Sequence, residues 1–166
     1  MLLTQLALAS GMVVVCVLVH LIGLTMTLRL LRFGHRGLRR PGAMPAPVLL
    51  GASLGVFGVH TIEIWLYALL YRAVDLFAHF EEALYFSTVT YATIGYGDLT
   101  LSHQWRLLGA IEGATGVIML GWSTAFLVSL LTRLRLLGHD WLTPATREDS
   151  ARDRQAASQT ADNASS

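Results

Sequence analysis

Apolar residues fill three long stretches of the chain, residues 6–28, 48–71 and 107–131, with only scattered polar side chains inside them. Each stretch exceeds the roughly 20 residues with which an α-helix crosses about 30 Å of hydrocarbon, so the pattern predicts three membrane-spanning helices. The first is too long for the apolar part of a signal peptide, and no Lys or Arg stands in residues 1–10 ahead of it. It is therefore read as a retained helix. A fourth apolar and aromatic run, residues 80–91, would be about 18 Å long as a helix, roughly half the membrane. Glu81 and Glu82 suit its positive end, and Gly95 and Gly97 prevent its continuation. A short helix going in and an extended segment coming back out form a re-entrant loop. Such backbone is tolerated at membrane depth only where protein surrounds it or where it lines a water-filled path.

Composition agrees with the pattern. Hydrophobic residues make up 54% of the 166 residues and charged ones 14%, which argues against an aqueous enzyme. The net charge of +1 hides an uneven layout, because all 12 basic residues are arginine and they cluster. Arg29, Arg32, Arg36, Arg39 and Arg40 gather around the first linker with Gly34, Gly37, Pro41 and Pro45, and Arg133 and Arg135 follow the last apolar run. By the positive-inside rule these ends are cytoplasmic, so the N-terminus lies outside and the C-terminus inside; the compact size and the absence of Lys point to a plasma membrane of bacterial type. The arginine series has a spacing that invites a voltage-sensor reading. It stands at or beyond the end of the apolar run, and is read as an anchor to anionic lipid headgroups. Cys16 stands alone and forms no intrachain disulfide. From Thr143 the sequence turns polar and is expected to be disordered. No nucleotide loop, nucleophile triad or Cys/His zinc pattern is present, no cofactor is implied, and nothing points to a nucleic-acid partner.

The segment leaving the short apolar run carries Thr90-x-x-Thr93-x-Gly95-Tyr96-Gly97-Asp98. It resembles the T-x-x-T-x-G-Y-G-D selectivity filter of potassium channels. The likeness extends over residues 48–134, as in two-helix pore modules of small bacterial channels, with an extra N-terminal helix. The resemblance implies an all-α membrane protein with three transmembrane helices, a re-entrant pore helix and a filter loop per chain. One chain brings one filter strand, and a closed ring needs four, hence a homotetramer. The expected order is an N-terminal helix (1–31), a basic linker (32–47), a pore module (48–134) and a tail (135–166). Within the module the outer helix is 48–71, the pore helix 80–91, the filter 93–98 and the inner helix 106–134. The carbonyls of Thr93, Ile94, Gly95 and Tyr96 would replace the hydration shell of K+, which passes as the permeant ion. Gly95 and Gly97 supply the positive φ that lets successive carbonyls face one axis. Asp98 would form a carboxylate ring at the outer mouth. Tyr85 and Phe86 are expected to pack around Tyr96. The sequence departs from the pattern at Ala92, where many filters have a second threonine, and at Val89, a carboxylate in some members.

The last apolar run holds Gly109, Gly113, Gly116 and Gly121. Gly116 and Gly121 are candidate gating hinges, with close helix packing as the plainer alternative. Trp122, Ser123 and Thr124 are expected to face the pore cavity. His20, His60, Glu63 and Glu112 lie inside apolar runs and need partners. His60 and Glu63, three apart, share a helix face and can bond each other, His20, or the back of the pore helix. Two other readings stand beside the channel: a subunit of a mixed or regulatory channel complex, and an intramembrane metal-dependent enzyme built on His60 and Glu63. The latter leaves the filter string unexplained.

Overall fold

The structure, a computed structural model, describes residues 2–35 and 46–133, with the side chains of residues 32–35 and 133 excepted. Four helices follow one another: α1 (Leu2–His35), α2 (Ala46–Ala73), α3 (Phe80–Tyr91) and α4 (Arg106–Arg133). No strand occurs among the described residues. Three helices are long and apolar enough to cross a membrane, over Leu2–Leu31, Ala46–Ala73 and Arg106–Thr132. The expectations for Arg36, Arg39, Arg40, the central linker and the polar tail lie outside the described residues. α1 continues through Gly34, where the sequence suggested an interruption. A single interior glycine weakens a helix by about 1 kcal/mol, too little to end one of this length.

α1 and α2 run antiparallel along a seam of small residues. A Cβ on Gly23 would lie 2.3 Å from Val59, one on Gly55 2.5 Å from Thr27, and one on Gly51 2.9 Å from Leu31. The register is constant, each pair advancing four residues on one helix and retreating four on the other. Helices in lipid gain nothing from hiding apolar surface from one another, so close approach over glycine, with its dispersion contacts, is what holds such a seam. One turn further along, the same register sets His20 of α1 against Glu63 of α2.

The second and third helices end in the same cap. After α2, the Asp75 N–H donates to the Arg72 carbonyl (3.2 Å) and the Leu76 N–H to the Tyr71 carbonyl (3.0 Å), with Asp75 at φ +54°. After α3, the Thr93 N–H donates to the Thr90 carbonyl (3.0 Å) and the Ile94 N–H to the Val89 carbonyl (2.9 Å), with Thr93 at φ +59°. This paired pattern is the Schellman motif, whose left-handed position normally falls to glycine. Asp tolerates that region, whereas a β-branched threonine in it is an outlier. Aromatic rings pin the turn between α2 and α3: Phe86 meets Tyr71 and Phe77, each at a centroid distance of 5.3 Å.

Candidate functional site

The site is the segment between α3 and α4. α3 begins with Glu81 and Glu82 in its first turn, where negative charge complements the helix dipole, and the His79 N–H reaches Glu82 Oε2 at 3.5 Å. At its other end the Val89 carbonyl accepts from Ile94 and, at 3.3 Å, from Gly95. The chain therefore leaves the helix already tethered. Positive φ then recurs at every second residue: Thr93 (+59°), Gly95 (+63°) and Gly97 (+78°). An ordinary strand alternates its carbonyls from side to side. Reversing the hand of every second residue departs from that strand pattern.

This segment is not covered by its own chain. Ile94 is 50% and Tyr96 70% exposed, although both are large and apolar in character. Phe86, expected against Tyr96, instead belongs to the ring cluster with Tyr71 and Phe77, because the turn after α2 brings those rings beneath α3. Tyr85 is bound to the outer end of the segment. Its hydroxyl donates to Asp98 Oδ2 at 2.7 Å, a bond that holds the Asp98 carboxyl below the usual carboxylate range and pushes the Tyr85 hydroxyl up.

Beneath the segment, α4 packs on the last turn of α3. A Cβ on Gly116 would lie 2.1 Å from the Tyr91 carbonyl oxygen, and one on Gly113 3.4 Å from that of Thr90. A Cβ on Gly121 would meet nothing within 4 Å. Of the two candidate hinges, Gly116 is thus committed to contact with α3, while Gly121 faces open space. α4 is continuously helical through both.

The intramembrane polar residues sort into two groups. His20 Nδ1 lies 3.0 Å from Glu63 Oε1, and His60 Nδ1 lies 3.2 Å from Glu63 Oε2 and 3.1 Å from Tyr91 Oη. Tyr91 donates to Glu63, and Ser123 Oγ sits 2.9 Å from His60 Nε2 and 3.4 Å from His20 Nε2. Glu112 does not join this group. It receives Tyr71 Oη and meets Ser87, whose hydroxyl also lies 2.9 Å from the Ile64 carbonyl. Ser123, expected in the pore cavity, is buried in the first group, while its neighbours Trp122 and Thr124 are exposed. Tyr91, Ser87 and Tyr71 were not picked out from the sequence, since a hydroxyl at the edge of an aromatic run gives no sign of facing a carboxylate. The signal that was available is Gly51-x-x-x-Gly55, a close-packing pattern that sets the α1–α2 register and hence pairs His20 with Glu63.

Among the described residues the chain is all-helical, with three helices long and apolar enough to cross a membrane and a short helix and loop between the second and third of them. Residues 59–133 match the model of a family described as an ion channel, which supports a passive ion channel. The matched stretch runs from the middle of α2 through α3 and the loop to the end of α4, and leaves α1 outside it. Comparison with curated proteins and with solved structures gives no match.

Proposed function

We propose that the protein is a potassium-selective channel whose pore is a homotetramer, conducting K+ passively through the loop formed by Thr93, Ile94, Gly95, Tyr96 and Gly97. The observation that carries the reading is the reversal of backbone hand at 93, 95 and 97, directly after a capped half-membrane helix. Desolvating K+ requires a column of carbonyl oxygens in place of its water, and on this reading each chain would contribute one column. The exposure of Ile94 and Tyr96 supports assembly, because an apolar filter flank needs cover that its own chain does not provide. Four copies around an axis would close the ring, with Asp98 at the outer mouth concentrating cations. The membrane proposed is a bacterial plasma membrane, with the arginines of the α1–α2 connection on the cytoplasmic side beside anionic headgroups.

The test is flux from proteoliposomes with K+ or Na+ as the only permeant cation. Potassium flux should exceed sodium flux by orders of magnitude, and equal fluxes would refute the reading. Gly95→Ala should assemble and yet lose selectivity or conduction, since a Cβ at φ +63° is strained by about 1–3 kcal/mol.

A further inference from the structure

The buried group of His20, His60 and Glu63 lies outside the conduction path proposed above, and two elements, α1 and α2, build it. We propose that it is a zinc site, with His20 Nδ1, His60 Nδ1, the Glu63 carboxylate and Tyr91 Oη as the four donors. His20, His60 and Glu63 can each offer one ligand atom within 4.8 Å of the others, and all three side chains are buried. Three separations, His20 Nδ1 to Glu63 Oε1 (3.0 Å), His60 Nδ1 to Tyr91 Oη (3.1 Å) and His60 Nδ1 to Glu63 Oε2 (3.2 Å), are close to the edge of a tetrahedron around Zn2+, about 3.3 Å for metal–ligand bonds near 2.0–2.1 Å, while Tyr91 Oη and Glu63 Oε2, 2.5 Å apart, would have to separate on binding. Two imidazoles and a carboxylate suit this borderline-soft ion, which imposes no other geometry.

The hydrogen bonds around Ser123 accommodate a cation at the centre. A metal on both Nδ1 atoms fixes both Nε2 atoms as N–H donors. Ser123 Oγ, 2.9 Å from one and 3.4 Å from the other, then accepts both on its two lone pairs. Zinc-bound histidines ordinarily give their second nitrogen to such an outer partner. The ion would clamp α1 and α2 onto the last residue of α3, two residues before Thr93. That gives the N-terminal helix a mechanical hold on the base of the filter.

Metal content decides the matter independently of conduction. Full-length protein expressed with added zinc salt and purified without chelator should carry about one zinc per chain in the main size-exclusion peak. His20→Gln and Glu63→Gln should lose it, whereas His103→Gln, at an exposed position, should keep it. Ser123→Ala should bind zinc about 10- to 100-fold more weakly, the loss expected for an outer partner. Wild-type protein stripped with chelator and loaded with Co2+ should show the intense visible bands of a tetrahedral site. Folded wild-type protein without zinc would overturn the proposal. Zinc retained by both Gln variants would overturn it equally. If flux is absent while zinc is bound, the channel reading falls and the metal site stands.

Discussion

Gly116→Ala tests the contact on which the loop rests. The added Cβ would stand 2.1 Å from the Tyr91 carbonyl oxygen, 2.9 Å from its carbon and 3.2 Å from its Cα. All three are backbone atoms, so no rotamer change relieves the overlap. α4 must part from the end of α3 by about 1 Å to restore a tolerable contact. Overpacking of this kind costs about 1–3 kcal/mol, against a gain of about 1 kcal/mol from replacing glycine in a helix. The net effect should be a loss of up to about 2 kcal/mol, concentrated at the residue that holds Glu63 and precedes Thr93. Gly121→Ala, with nothing within 4 Å, should collect the helical gain without the clash. The measurements are thermal stability of the purified oligomer in detergent and K+ flux from proteoliposomes. Gly116→Ala should melt below wild type and conduct poorly, and Gly121→Ala should melt at or above it. If instead Gly116→Ala is as stable as wild type and conducts normally, the packing argument is wrong.

Thr93→Gly should relieve a left-handed β-branched residue and raise thermal stability by about 1 kcal/mol; a less stable variant would show that Thr93 is not strained. Tyr85→Phe removes the bond to Asp98 but keeps its charge, so its conductance loss should not depend on salt. Asp98→Asn keeps an acceptor and loses the charge, so its loss should be largest near 0.01 M salt, where the Debye length is about 30 Å. Because Tyr85 depresses the Asp98 pKa, the mouth charge persists above the ordinary value of about 3.9 and is lost only as pH falls through the lowered one. In single-channel records at decreasing pH, Tyr85→Phe should therefore lose conductance at higher pH than wild type. Gly55→Val would drive a side chain into Thr27, 2.5 Å from the Cβ position, and should separate α1 from α2 with a clear drop in melting temperature; an unchanged melting curve would mean that the seam contributes little.

Periodicity and composition by themselves determined three long helices, one half-length helix and the loop between them. Apolar runs of about 20 residues have one solution in lipid, and glycines at 95 and 97 stop a helix wherever they stand. The positive φ at Gly95 and Gly97 was equally legible, because glycine placement reports backbone conformation directly. What the sequence left open was every contact between residues distant along the chain. His20 and Glu63 are separated by 43 positions, and His60 and Ser123 by 63. Only the small-residue seam between α1 and α2 fixes the register that joins the first pair, and only α4 crossing α3 at Gly116 delivers the second. Glu112 has the same appearance in the sequence as Glu63, yet it is held by Tyr71 and Ser87 in a separate group. The positive φ of Thr93 was likewise not written in its residue type, since threonine disfavours that region. The geometry of the cap imposes it: once Ile94 N–H is bound to the Val89 carbonyl, the residue before it has no other conformation available.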